Sequence, residues 1–437
     1  MEQVRCVILG AGLSGLSTAL HLRHGDWIVL EREGRPGGLT RTEDLDGFLF
    51  NHTGHWLHLR DDRVKALVAD LLPGGLVPVV RQAAIWSHGV FTLYPFQANL
   101  HGLPAEVLRE CLQGAVEAAV ARAAGRAPRP RNFEEYARVH FGEGIARHFI
   151  VPYNTKLWGV PPSEVTAEWT QRFVPIPDIR QVIDGALGLS REAMGYNATF
   201  LYPAEGGIET LARAFYRRLD PGRFCLNTRP RRIHLGRREV EFGDQRLRYE
   251  SLVSTLALPD LVALCEDAPP SMRQAAARLR CSPLRYINVA LDVERPLDGR
   301  HWIYLPEGRY PFYRVGSASN AVPSLAPAGT SSLYVEIAND QDLPEGDILR
   351  ALVDFLKEIG TIQSDRQVLF AAFRRHPWGY VIFDRHCSRD RERILEALRR
   401  RGVHSIGRYG GWTYNSMEDA ILDGIRTAEA LETPAER

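Results

Sequence analysis

The sequence predicts an α/β protein in which a discontinuous Rossmann-like domain is joined to a helical domain and an antiparallel β-sheet domain. Three observations lead there. First, VRCVILG near the N-terminus is a short apolar, β-branched run that ends in glycines. LSTALHLR follows with helical spacing, and DWIVLE is a second apolar run. Strand, glycine turn, helix and strand make one βαβ unit with parallel strands. Second, the pattern turns helical from about residue 104. EVLRECLQGAVEAAVARAA has helical periodicity, RAPRPRN interrupts it because proline cannot continue a helix, and FEEYARVHFGEGIARHFIVPY resumes it. Third, from about Leu284 the runs YINVALDV, HWIYL, YPFYRV, SSLYVEIA and QVLFAAFR are short, rich in Tyr, Val, Ile and Phe, and separated by turn residues, as in an antiparallel sheet.

The remaining segments complete the first domain. RRIHLGRREVEF and SLVSTLAL read as further strands, and SMEDAILDGIRTAEAL as a closing helix. The expected partition is therefore 1–103, 196–280 and 385–437 for the nucleotide domain, 104–195 for the helical domain and 281–384 for the sheet domain. A chain of 437 residues is too long for one simple core, which agrees with several units.

Charge and composition exclude some classes of function. Lys plus Arg number 54 and Asp plus Glu 53, so the net charge is +1 and any anion site must be local. Nothing global points to nucleic acid or an anionic membrane as partner. No apolar stretch is long enough to span a bilayer, and the N-terminus runs straight into a strand without a signal peptide's core. The six cysteines are scattered without a CxxC pair, so neither a disulfide framework nor a metal site is expected. The cytoplasm is the expected compartment, and an oligomer is compatible with the sequence.

Gly10, Gly12 and Gly15 form GxGxxG within GAGLSG, with Leu13 and Ser14 at the start of the helix. Such a turn needs glycine where a Cβ would clash, and it sets a pyrophosphate over the free N–H groups of a helix N-terminus. Glu31 ends the second strand at the distance expected of a carboxylate that binds a ribose hydroxyl. The next stretch, REGRPGGLTRTE, brings Gly37, Gly38, Leu39 and Arg41. It resembles the extended FAD-binding signature of the amine oxidase and mutase superfamily. Glycines let the loop lie close to the FAD phosphates, and Arg41 can offset their charge.

Six further segments carry a more specific resemblance: GFLFNHTGHWLH, YPFQANL, VPYNTKLWGVPPSEVTAEWTQRFVPIPD, GYNATFLYPAEGG, HWIYLPEGRYPFYR and GRYGGWTY. In order and spacing they resemble the eukaryotic-type UDP-galactopyranose mutases, within the FAD-dependent amine oxidase and protoporphyrinogen oxidase-like superfamily. The resemblance implies a cleft between the FAD domain, a helical domain and a six-stranded antiparallel sheet. It also implies a redox-neutral isomerisation between pyranose and furanose forms of a UDP-sugar. In that chemistry the N5 of reduced FAD acts as a nucleophile on the anomeric carbon, and NADPH or NADH is the expected electron donor.

The same resemblance assigns roles to residues. Arg314 and Arg408 are the expected phosphate arginines, and Tyr304, Tyr380 and Tyr414 the phenols that donate to the same phosphates; the planar fork of arginine suits phosphate oxygens. Tyr94, Phe96, Gln97, Asn154 and Trp158 resemble the wall that holds uridine, with Trp302 beside the phosphate tyrosines. Arg172 and Asn197 resemble residues of two flaps that close over substrate. Gly54 and His55 resemble residues at the flavin N5 edge, and Gly407, Tyr414 and Met417 resemble further FAD contacts. Two departures stand out. Thr53-Gly54-His55 stands where the family usually has Gly-Gly-His, and Ala321 stands where a further phosphate tyrosine is expected, with Tyr310 as a possible substitute. SMEDAILDG resembles bacterial flavin oxidoreductases of the protoporphyrinogen oxidase type. A hydride-transferring redox enzyme of the amine oxidase class is therefore the second reading, and a UDP-sugar-binding homologue with little catalysis the third.

Overall fold

A computed structural model describes residues 2–170, 174–189, 198–338 and 343–433. Arg172 and Asn197 lie outside the described residues. The strand Glu2–Leu9 sits in the middle of the first sheet, parallel to Gln245–Ser254 on one side and to Trp27–Leu30 on the other. Helices cover both faces, so Val7, Ile8 and Leu9 are all fully buried and the strand reads as a continuous apolar run. Phe224–Cys225, Val403–Ser405 and the antiparallel pair Pro230–His234 and Glu239–Phe242 complete this sheet. Its strands thus come from the N-terminal, middle and C-terminal parts of the chain. The helix Leu13–His21 packs on the closing helix Met417–Glu432.

The helical region contains Ala105–Ala123, Phe133–Phe141, Val151–Trp158 and Ile179–Ala186. A π-helical turn, Ala146–Ile150, leads directly into Val151–Trp158. Asn132 caps Phe133–Phe141, its side chain accepting from the Glu135 N–H at 2.9 Å.

The second sheet departs from expectation. It has seven strands, in the order Val368–Ile382, Arg280–Leu291, Ser331–Ala338, Arg314–Gly316, Trp302–Tyr304, Ala83–Ser87 and Val90–Leu93. The last two come from the stretch assigned to the nucleotide domain, so the sheet domain is not confined to 281–384. It is also mixed, because Trp302–Tyr304 runs parallel to Ala83–Ser87. His88 and Gly89, with φ of 55° and 75°, form the two-residue turn that joins the added hairpin. The helix Glu345–Glu358, unforeseen in the sequence, buries Ile348, Leu352, Phe355 and Leu356 against Ile287, Val289, Leu333 and Val335 of this sheet. Among the described residues, no helix is long and apolar enough to cross a membrane.

Candidate active site

The glycine turn is packed as a cradle. A Cβ on Gly15 would lie 2.0 Å from the carbonyl oxygen of Gly10, and one on Gly38, whose φ is +56°, would lie 3.0 Å from the Cα of Gly12. The Gly37 N–H donates to the Ala11 carbonyl at 2.8 Å, which seats the second glycine loop on the first. Leu39 lies in the short turn Gly38–Thr40 that follows. Glu31 is buried, and its two oxygens accept from the N–H groups of Ala11 at 2.7 Å and Glu33 at 2.9 Å. Those bonds hold the carboxylate at the end of its strand. Gly407, at φ +78°, approaches Ser14 so closely that a Cβ would lie 2.7 Å from its hydroxyl. Met417 opens the closing helix, which Ser416 caps by accepting from the Asp419 N–H. These glycines, the helix N-terminus beside them and the fixed carboxylate fit the ADP half of FAD.

Arg41 does not stand free beside this cradle. Its guanidinium pairs with Glu33 at 3.0 Å and donates to the Gly38 carbonyl at 3.2 Å. Hydrogen bonding to Arg41 holds the Glu33 carboxyl below its usual range. The expected phosphate arginine is thus already paired with a carboxylate here, and its bond to Gly38 braces the loop.

Asp423 accepts from the Gly407 N–H at 3.1 Å, and burial pushes its carboxyl up to about 6. Because the shift is upward, the folded chain holds this proton more tightly than the unfolded one. Stability from this group is present below the ordinary aspartate range and is lost as pH rises through about 6. Asp423→Asn is therefore expected to melt higher than the parent at pH 7, by about 1–3 kcal/mol, with the gap closing towards pH 4. Thermal melts of both proteins between these limits check this; a gap that does not change with pH removes the assignment.

The sheet register builds the second half of the site. Arg374, Tyr286, Glu336, Arg314 and Tyr304 are successive cross-strand partners, so their side chains share one face. Arg314 binds Glu336 in a two-pronged pair, Nε to Oε2 at 2.9 Å and Nη2 to Oε1 at 2.6 Å, and the carboxylate is fully buried. Arg408 comes from the opposite side. Its guanidinium donates to the carbonyls of Asn415 at 2.9 Å and Gly379 at 3.4 Å, and it lies over the rings of Tyr414 at 4.7 Å and Tyr380 at 5.4 Å. Among the described residues Arg408 has no carboxylate partner, whereas Arg314 does. Tyr380 connects the two arginines: it stacks on Tyr414 with centroids 5.9 Å apart, and the charges of both Arg314 and Arg408 act on its phenol. Burial pushes the phenols of Tyr94, Tyr304 and Tyr380 up, which keeps them protonated and able to donate.

Three members of this cluster have no counterpart among the residues singled out from the sequence. Arg81 is buried, and its guanidinium lies 4.7 Å from the ring centre of Tyr94. Tyr153 meets Tyr304 edge to face at 5.4 Å. Glu336 is the third. Glu336 shows in the sequence as a carboxylate inside the apolar run SSLYVEIA, and Tyr153 as a member of the segment VPYNTKLW.

The expected uridine wall is only partly open. Tyr94 is half-buried and lies against Tyr304 at 5.1 Å. Phe96 is fully buried and stacks on Phe149 at 4.9 Å. Gln97 donates to the Pro175 carbonyl at 3.0 Å, and Asn154 to the Ile150 carbonyl at 2.7 Å within its own helix. Trp158 is enclosed by Phe133 and Trp169, with ring centres at 5.5 and 4.9 Å. Trp302 is buried against Trp56 at 5.6 Å. Phe96, Trp158 and Trp302 thus pack into the interior, and one amide N–H of each of Gln97 and Asn154 is used on a backbone carbonyl. Tyr310 does not replace the tyrosine missing at Ala321, because its hydroxyl binds Trp86 and Glu358 at 2.9 and 2.8 Å.

Gly54 is required by Tyr334, whose ring lies between Gly54 and Gly316; a Cβ at Gly54 would come within 2.7 Å of its hydroxyl. Thr53, where the resembled family has glycine, sits at φ +68°, a conformation that a β-branched residue rarely adopts. Beside it, His55 Nδ1 is buried without a hydrogen-bond partner. Burial, with the neighbouring His52 and Arg408, pushes the imidazole down to about 4, so it is neutral at pH 7. Arg408, whose charge acts on this imidazole, follows Gly407 of the cradle, and an orphaned ring nitrogen there fits the edge of a bound flavin.

A doubly wound dinucleotide domain facing a buried cluster of arginines, phenols and a neutral histidine defines a flavin-dependent enzyme. The chain matches the flavin containing amine oxidoreductases over residues 13–431 and belongs to that family. Among curated proteins it is similar to a probable UDP-galactopyranose mutase of Klebsiella pneumoniae, 26% identical over 180 residues. That match covers 40% of this chain and 46% of the relative. It is also similar to a chloroplastic protoporphyrinogen oxidase of Oryza sativa subsp. japonica, 27% identical, over 37% of this chain and 32% of the relative. The matches thus span less than half of each curated relative. Among solved structures, a reduced UDP-galactopyranose mutase superimposes with a TM-score of 0.92 at 25% identity, over 100% of this chain and 97% of that one. A putative protoporphyrinogen oxidase from Exiguobacterium sp. 255-15 gives a TM-score of 0.75 at 18% identity, over 99% of both chains, and shares the fold.

Proposed function

We propose that the protein is a flavin-dependent nucleotide-sugar mutase that interconverts pyranose and furanose forms of UDP-galactose or a related UDP-sugar, in the manner of the eukaryotic-type mutases. The observation that carries this reading is that two guanidinium groups reach one buried cluster of phenols: Arg408 lies over the rings of Tyr380 and Tyr414, and Arg314 shares a sheet face with Tyr304 and acts by its charge on Tyr380. A site for hydride abstraction from an amine or a hydrocarbon has no use for converging guanidinium groups. A diphosphate that must leave the sugar and be recaptured needs them.

Reduced FAD, held by the glycine cradle and Glu31, would supply the nucleophile for the anomeric carbon, with NADPH or NADH as electron donor. Arg408, which has no carboxylate partner among the described residues, offers a cation to the diphosphate. Arg314 offers the donors that Glu336 leaves open, and Glu336 fixes the angle of its plane. Tyr304, Tyr380 and Tyr414 donate hydroxyl hydrogen bonds to the same oxygens, and Tyr94 presents a ring to the uracil. His55 stays neutral beside the flavin edge and adds no charge where the flavin must become electron-rich. Arg172 and Asn197 keep the flap roles that the sequence resemblance gives them.

The test reduces the flavin with dithionite, adds UDP-galactofuranose or the pyranose, and resolves the products by chromatography. Interconversion that depends on reduction is expected. No conversion across a panel of UDP-sugars, with oxygen uptake on an amine instead, would favour the hydride-transferring alternative.

A further inference from the structure

Lys156 lies outside everything assigned so far. It is one of three lysines in a chain with 54 lysines and arginines. Its ammonium reaches from the helix Val151–Trp158 into the loop 305–313 and donates to three carbonyls there: Leu305 at 2.8 Å, Glu307 at 3.0 Å and Phe312 at 2.6 Å. An ammonium has three N–H donors, so all are used. The loop joins the strands Trp302–Tyr304 and Arg314–Gly316. Leu305 follows Tyr304 directly, and Phe312 precedes Arg314 by two residues. Both ends of the loop are therefore tied to one nitrogen. A further bond, Leu305 N–H to Tyr313 carbonyl at 2.9 Å, closes its neck.

The choice of residue has a physical reason. A guanidinium is planar and spreads its donors in a rigid fork, whereas an ammonium is a compact point that three converging carbonyls can surround. The carbonyl cup replaces the water that burial removes, although burial still pushes this ammonium down to about 7. On the same helix, three residues earlier, Tyr153 packs edge-on against Tyr304 at 5.4 Å and Tyr313 at 6.1 Å. Residues three apart share a helix face, so one face of this helix braces the loop twice.

We infer that Lys156 is a positioning residue, which pins the loop 305–313 to the helical region and thereby holds Tyr304 and Arg314 in place for an anionic ligand. The ligand part of this inference rests on the diphosphate reading above; the pin itself does not. Lys156 touches neither of the two side chains and acts through the backbone that carries them.

Two measurements on the flavin-loaded full chain test it. In the absence of ligand, hydrogen exchange in peptides spanning 305–313 is expected to be faster in Lys156→Met than in the parent, with peptides over the glycine cradle unchanged. Unchanged exchange in 305–313 overturns the pin. Calorimetric titration with UDP is then run on Lys156→Met, Tyr304→Phe and the double variant. A loss of roughly tenfold is expected for Lys156→Met, and the double variant is expected to lose clearly less than the product of the single losses. Multiplicative losses overturn the positioning role. Should the parent bind no UDP, the diphosphate reading and the ligand part of the inference fall together, while the exchange result still decides whether Lys156 holds the loop. If Lys156→Met does not fold, Lys156→Arg carries the same comparison, because its charge stays and its geometry does not fit the cup.

Discussion

Replacing Arg408 with alanine is expected to weaken UDP binding by about 100-fold while flavin content stays at the parent level. The magnitude follows from the partners of the guanidinium. It is held by two carbonyl oxygens and tyrosine faces, and among the described residues no carboxylate offsets its charge. A hydrogen bond from a charged group contributes about 1.5–3 kcal/mol, and a diphosphate can accept at least one from this side chain in addition to its field. Arg314→Ala is expected to behave differently. It strands the Glu336 carboxylate in a fully buried position, and breaking a buried pair costs about 3–5 kcal/mol of stability. Its melting temperature should therefore fall along with its UDP affinity, and Arg314→Ala combined with Glu336→Gln should recover part of the first loss and none of the second. Calorimetric titration, thermal melts and the flavin-to-protein absorbance ratio separate the variants. Parent-level UDP affinity in Arg408→Ala would remove the diphosphate site and with it the mutase reading.

The other large effect belongs to the cradle. Gly15→Ala places a Cβ 2.0 Å from a backbone oxygen, that of Gly10, which no side-chain rotation can relieve. The helix start must move away from the turn, and overpacking of this kind costs about 1–3 kcal/mol. The shift opens the surface on which the pyrophosphate rests. The variant is expected to purify with little flavin and to regain it only at high added FAD, with an affinity lower by about one to two orders of magnitude. Stoichiometric flavin in purified Gly15→Ala would show that this turn does not carry the cofactor. Gly38→Ala, whose Cβ would press on the Cα of Gly12 at 3.0 Å, is a milder version of the same experiment.

Much of this was legible in the sequence for a local reason. The βαβ unit, the glycine turn and Glu31 fall within the first 31 residues, and each is specified by neighbours a few positions away. The loop from Gly37 to Arg41 lies just beyond. What the sequence did not report was equally physical. Aromatic residues that resemble a base wall also make good interior packing, and the contacts of Trp158 with Phe133 and of Phe96 with Phe149 appear only in the folded chain. The ion pair of Arg41 with Glu33, eight residues before it, likewise depends on how the loop folds back.

The sequence by itself determined the mixed α/β class, the first βαβ unit and the class of cofactor, because period, turn chemistry and short-range spacing encode them. The tertiary structure alone decided which charges meet. Glu336 faces Arg314 because two antiparallel strands are in one particular register, Arg81 arrives with a hairpin that joins a sheet more than 200 residues further along the chain, and Lys156 finds its carbonyls in a loop about 150 residues away. Strand register and domain docking are set by the burial of whole faces. No local pattern around Arg81, Lys156 or Arg314 reports on the partner that the assembled faces bring to it.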